Sequence, residues 1–244
     1  MRLAVCFVLL AAAAHGGCES AEDPYPRVPG GGTTTPVDPR VDAAIDDPDA
    51  GAPGTALSGR VCLLGDPRDL SSCASAGAGD LTVTLGTKTA TTSDDGTFAI
   101  ERPEGSALTW VVTGDAVAPS LMPLSTTHHV PVLDVEVHDE LLLGHGVLPD
   151  PERGVAFVRV VRGGQPLPGV TAQLSEIATA PARYDGVTPA AWTEIATGSF
   201  GMVWLAGVPA GTVHVTVTPS VGAPVTKALP IAAGAVTYAT IDAP

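Results

Sequence analysis

Basic side chains and aromatic rings are both scarce in this sequence. Only 12 Lys+Arg stand against 26 Asp+Glu, for a formal net charge of −14, and Phe, Tyr and Trp together make up 4% of 244 residues. The shortage of clustered cations excludes binding along a phosphate backbone, which relies on Lys and Arg to displace counterions. No nucleic-acid partner is therefore expected. Long hydrophobic runs are also missing beyond the N-terminus, so no segment after it has the ~18 apolar residues of a membrane helix. Phosphate-cradling loops, dinucleotide fingerprints and the Gly-x-Ser-x-Gly elbow are absent, and Gly198-Ser199-Phe200-Gly201 misses the elbow spacing. Glycine and proline are what the chain has in excess, 28 and 23 residues. They supply turns and linkers, and they argue against a helical bundle.

The N-terminus reads as an export signal. Met1-Arg2 precedes an apolar run from Leu3 to Ala14, and His15-Gly16-Gly17-Cys18 follows. Gly16-Gly17-Cys18 resembles the bacterial lipobox, in which the cysteine becomes the lipid-modified first residue of the mature chain. His15 occupies the place where that motif usually has an aliphatic residue. The resemblance assigns lipidation to Cys18 and a membrane partner through the lipid, with the protein exported to an outer membrane or cell surface. Cleavage after Ala12-Ala13-Ala14 is the alternative, and it predicts a secreted or periplasmic protein. Residues 18–55 then form a tether. Between residues 19 and 56, eight acidic side chains face only Arg27 and Arg40, with seven prolines and Gly30-Gly31-Gly32. Such a composition buries too little apolar surface to offset its ordering entropy, so a disordered, extended spacer is expected.

From Leu57 onward apolar residues recur with a period of two. Leu57, Gly59, Val61 and Leu63 share one face, Leu81, Val83 and Leu85 alternate with Thr82 and Thr84, and Phe98 and Ile100 alternate with Thr97 and Ala99. These are strands, with Ser93-Asp94-Asp95-Gly96 as a hairpin turn and Gly96 at positive φ. A second unit repeats the pattern in Gly154-x-Ala156-x-Val158-x-Val160, Pro168-Gly169-Val170-x-Ala172-x-Leu174 and Gly211-x-Val213-x-Val215-x-Val217. Residues 176–198 lack clean alternation. Asp139 to Leu143 predicts a short helix, and Pro149-Asp150-Pro151 a rigid hinge. One apolar face per strand requires a second sheet to cover it. The fold class is therefore all-β, two tandem Greek-key β-sandwiches of transthyretin or Ig-like type after the signal peptide and linker. Their expected spans are 56–148 and 149–244, with 1–17 as the signal peptide.

Gly59-x-Val61, Leu81-x-Val83-x-Leu85 and Thr92-x-x-x-Gly96-x-Phe98 resemble the carboxypeptidase regulatory-like (transthyretin-like) domain. Asp80 stands where that family often has glycine. The resemblance implies a seven-stranded Greek-key sandwich over roughly residues 56–137 and transfers no binding residues. It is named for a neighbouring zinc carboxypeptidase domain, but that domain's His-x-x-Glu pair is missing here.

Chemistry has few candidates. His128, His129, His138, Asp139, Glu140 and His145 bring imidazoles and carboxylates into one stretch, the ligand types of zinc or copper. Their spacing matches no ligand motif, and the expectation is solvent-facing residues with no metal, no cofactor and no catalytic residue. Asp94-Asp95 is read as turn-forming rather than calcium-ligating. Cys62 and Cys73 are expected to pair, because both lie in the exported part and no third cysteine competes once Cys6 and Cys18 are removed or lipidated. Alternation points Cys62 away from the Val61 face, towards a surface loop. The function expected is non-enzymatic: a surface-anchored module for structure, adhesion or recruitment of an envelope protein or polysaccharide. A carbohydrate- or peptide-binding module, or an accessory subunit of an envelope enzyme, is the alternative. Exposure of Trp192 would favour sugar stacking, and its burial would remove the main support for that reading.

Overall fold

A computed structural model describes residues 54–74, 78–126, 128–186, 191–193 and 195–244. The signal peptide, Cys18 and nearly all of the tether lie outside the described residues. In chain order the elements are β1 (Ala56–Leu63), β2 (Thr82–Leu85), β3 (Lys88–Thr91), β4 (Thr97–Glu101), β5 (Thr109–Gly114), β6 (Val117–Pro123), β7 (His129–Val132), α1 (Val135–Gly144), β8 (Arg153–Arg162), β9 (Gln165–Pro166), β10 (Thr171–Leu174), β11 (Arg183–Asp185), β12 (Trp192–Thr193), β13 (Met202–Pro209), β14 (Gly211–Thr218), β15 (Val225–Ile231) and β16 (Val236–Asp242). The fold is all-β, two sandwiches in tandem.

Ser93-Asp94-Asp95-Gly96 forms a turn but not the hairpin expected, because β3 pairs with β2 while β4 crosses to the other sheet and pairs with β1. Gly96 closes the β3–β4 connection at φ 83, and Asp80 enters β2 at φ 57. Asp80 is the one non-glycine at positive φ among the described residues, and aspartate tolerates this left-handed region better than most side chains. Gly59 answers a different demand. A Cβ there would overlap the Phe98 ring and sit 2.5 Å from the His128 carbonyl. The glycine lets β1 pass under Phe98 between its partners β4 and β7.

Two three-stranded sheets, β4-β1-β7 and β10-β14-β15, each cover part of one long sheet. That sheet runs β12-β11-β13-β8-β16-β6-β5-β2-β3, with β9 attached to β8. Val61, Val83, Leu85, Trp110, Val112 and Val130 fill the first sandwich. Val158, Val160, Val203, Leu205, Val215 and Ile241 fill the second. The C-terminal strand β16 joins the two, pairing in parallel with β8 from Val236 to Asp242 and with β6 at Val236 and Thr237. The described residues fall within one compact unit. Pro149-Asp150-Pro151 is thus not a hinge between free modules, because backbone hydrogen bonds of β16 bridge the halves.

A third core explains that union. Phe157, Met202, Trp204, Val236 and Tyr238 point to the other face of the long sheet and meet Cys62, Leu64, Leu133, Leu142 and Val147. Strands β8, β13 and β16 are consequently buried on both faces, which is why Val155-Ala156-Phe157-Val158 and Met202-Val203-Trp204-Leu205 read as continuous apolar runs. α1 caps this core. It starts earlier than the predicted Asp139, because the Asp134 carboxylate accepts the Glu136 and Val137 amides at its N-terminus.

Cys62 and Cys73 form a disulfide, with Cα atoms 5.1 Å apart. The pairing is as expected, but the surroundings differ. Cys62 is only 2% exposed, since the face opposite Val61 belongs to the third core. The loop it closes therefore covers an interior, and an 11-residue separation corresponds to about 2–3 kcal/mol in the chain-entropy account.

Candidate functional site

Aromatic side chains, rare in the sequence, converge at one place. The Phe157 ring lies 5.7 Å from Tyr238 and 6.3 Å from Trp204 in stacked geometry, and Trp192 packs 5.3 Å from Trp204 and 5.9 Å from Phe157. Alternation on β8, β13 and β16 sends Phe157, Trp204 and Tyr238 to the same face, and β12 brings Trp192 to its margin. Burial raises the pKa of the Tyr238 phenol and keeps it neutral. Trp192 is only half-buried and forms the outer edge of the stack.

Beside Trp192 opens a shallow cleft of about 490 Å³, walled by α1 and the disulfide-closed loop, with Asp66, Arg68, Glu140 and His145 in its lining. Arg68 is 4% exposed and bonds Asp66 twice, Nε to Oδ1 at 2.9 Å and Nη2 to Oδ2 at 2.6 Å. Those bonds hold the Asp66 carboxyl below the usual carboxylate range. The guanidinium also lies 5.8 Å over the Phe200 ring and feels the Asp185 charge. His145 sits 5.1 Å from Trp204, and burial, then the Arg183 charge, push its pKa down. An aromatic edge flanked by the carboxylates of Asp66 and Glu140 suits a hydroxyl-bearing ligand.

The residues singled out from sequence scatter around α1. His138 Nδ1 lies 3.0 Å from Asp139 Oδ1, while Glu140 and His145 face the cleft. His128 Nδ1 is 3.1 Å from the Ser58 carbonyl on β1, and His129 is exposed on β7. Among the described residues no group of three or more His, Cys, Asp or Glu side chains is placed to hold a metal. In the turn that carries the chain from β3 to β4, Asp95 Oδ1 accepts hydrogen bonds from Ser93 Oγ and from the Thr97 amide and hydroxyl, at 2.8, 3.0 and 2.8 Å. The bonds from Ser93 first, then Thr97, lower its pKa from 3.8 to about 2. Because the folded value is depressed, this stabilisation is complete above the unfolded pKa of about 4 and is lost as pH falls through about 2. A carboxyl NMR titration of the folded protein should place the Asp95 midpoint near 2.

Asp185 is the side chain that sequence reasoning missed. It is 1% exposed, and its carboxylate accepts the backbone N–H groups of Gly198, Phe200 and Met202 at 2.9, 2.7 and 2.8 Å. It organises the stretch without clean alternation and carries β12 beside the stack. The one available signal was an acid on an aromatic strand within that stretch, Tyr184-Asp185-Gly186.

No protein-family model matches the chain, and no curated protein matches it. Among solved structures it is similar to the structure of a streptococcal ancillary pilin, at 10% identity over 78% of this chain and 69% of that chain, with a TM-score of 0.27. A likeness at that score carries no argument about activity.

Proposed function

We propose that this is a non-enzymatic, lipid-anchored module of carboxypeptidase regulatory-like type, presented at the cell envelope for structural, adhesive or partner-recruiting contact. The observation that carries the reading is the shared strand β16, which makes both sandwiches one stiff body suited to presentation rather than to opening and closing around a substrate. The family-like residues support it through their physical roles: Gly59 allows a close approach, and Gly96 and Asp80 adopt positive φ. Among the described residues no helix is long and apolar enough to cross a membrane, so attachment in this reading rests on Cys18. Mass spectrometry of the native N-terminus should find a diacylglyceryl-modified Cys18, and Cys18→Ser should move the protein from the membrane to the soluble fraction. An unmodified N-terminus upstream of Cys18 overturns the anchor.

The half-buried Trp192 favours a second reading, a polysaccharide-binding module. Its cleft presents the Glu140 and Asp66 carboxylates beside an indole, the combination that recognises sugar hydroxyls and the apolar sugar face, and Arg68 holds Asp66 in place. Trp192→Ala and Glu140→Ala should each abolish retention on immobilised envelope polysaccharide. Unchanged retention of both variants removes this reading.

A further inference from the structure

A second depression lies on the opposite side of α1, where β6, the start of β8 and the β15–β16 turn meet. It encloses about 230 Å³, less than the ~300–1,000 Å³ of sites that engulf a whole small ligand. Its size suits one or two anchoring side chains of a larger partner. The floor is apolar, built by Leu142 and Val147, and the rim carries Leu148, which is 78% exposed, with Pro149 and Pro151 beside it. A leucine this exposed at the lip of an apolar groove is more informative than a scattered surface residue.

The polar groups of the groove are asymmetric. Asp139 and Asp150 line it, with Glu136 and Glu152 close by in the chain. Arg153 is already engaged, donating to the Gly207 carbonyl at 2.9 Å and lying 3.6 Å from Asp150. His138 also lines the groove. Its Nδ1 lies 3.0 Å from the Asp139 carboxylate, which only accepts, so Nδ1 carries a proton. Its Nε2 is buried and has no hydrogen-bond partner.

We propose that this groove docks a basic, apolar-anchored peptide segment of a partner protein. An aliphatic side chain enters between Leu142, Val147 and Leu148, and flanking cations face the half-exposed carboxylates of Asp139 and Asp150. Charge decides between occupants. The chain's own tether carries a net charge of −6 between residues 19 and 56, from eight acids and two arginines, and a second copy carries −14. Both are repelled by the carboxylates that attract a basic segment.

The test uses the full chain and three fluorescein-labelled 12-residue peptides, alternating Lys–Leu, Lys–Gly and Glu–Leu, read by anisotropy. Lys–Leu should bind at least tenfold more tightly than either of the others, because only it supplies both cation and anchor. Leu148→Ser, at an exposed position that does not threaten folding, should weaken Lys–Leu binding at least fivefold. Asp139→Asn, which removes a half-exposed rim carboxylate but keeps the side chain's shape, should weaken it similarly. Amide shifts on titration should centre on Ala118, Leu148 and Gly207. Equal affinity of the wild type and both variants overturns the proposal, as does equal binding of Glu–Leu or shifts centred on Trp192. None of these results bears on Cys18 or on the sugar cleft.

Discussion

Deleting β16, by ending the chain after Gly234, is expected to unfold both sandwiches and not only the C-terminal one. The strand lies between β8 and β6, in parallel register with each, and its side chains feed two cores. Tyr238 and Val236 are fully buried in the third core, and Ile241 is 2% exposed in the second. Each such side chain contributes about 1.5–3 kcal/mol by burial, and the backbone partners on β8 and β6 lose their hydrogen bonds as well. The total reaches the ~5–15 kcal/mol that separates a native domain from its unfolded chain. In the intact protein, calorimetry should record one cooperative transition. In the truncated chain the near-ultraviolet signal of Trp110, buried in the first sandwich, should disappear together with that of Trp204. Survival of the Trp110 signal alone would mean that the sandwiches fold independently. A milder probe is Tyr238→Ala, expected to cost about 3–5 kcal/mol and to shift that same single transition.

Asp185→Ala should be nearly as damaging, although no core volume is at stake. Alanine would leave the amides of Gly198, Phe200 and Met202 without acceptors in a buried place. Each unsatisfied donor costs about 1–3 kcal/mol, so a total of about 3–5 kcal/mol is expected after local relaxation. The nearby Arg68 also loses a favourable charge. Asp185→Asn retains one oxygen for the Gly198 and Met202 amides but turns an NH₂ towards the Phe200 amide, so it should cost less than alanine. Urea unfolding of the two variants distinguishes this from a general intolerance of the position. An alanine variant within 1 kcal/mol of wild type would show that the carboxylate does not organise the loop. The alanine variant should red-shift the Trp192 emission, because Asp185 pairs with Trp192 across β11 and β12 and loss of that order exposes the indole to water.

Much of the architecture was legible locally. Alternation of Leu81, Val83 and Leu85 against threonine predicts a strand with one buried face, and β2 is such a strand. Ser93-Asp94-Asp95-Gly96 specifies the turn between β3 and β4 through side-chain hydrogen bonds and a positive φ that depend on neighbours only a few residues away, although not that the two strands enter different sheets. The Cys62–Cys73 pair followed from counting thiols. These features are short-range, so the chain itself determines them.

Tertiary structure alone decided how the two halves join and what the second face of the sheet does. Phe157, Trp204 and Tyr238 lie in three separate strands, and nothing in their own segments states that the three strands are neighbours. The continuous apolar runs of β8 and β13 signal burial on both faces, but not what covers the second one. The cover proved to be α1 and the disulfide loop from the other half, which turned Cys62 from a surface residue into a core residue. Likewise His138 and His145 sit seven residues apart in one stretch, yet His138 on α1 lines the groove, whereas His145, at the cap that ends the helix, lines the cleft. Periodicity reports which way a side chain points relative to its own backbone, whereas a site depends on which distant surface it meets.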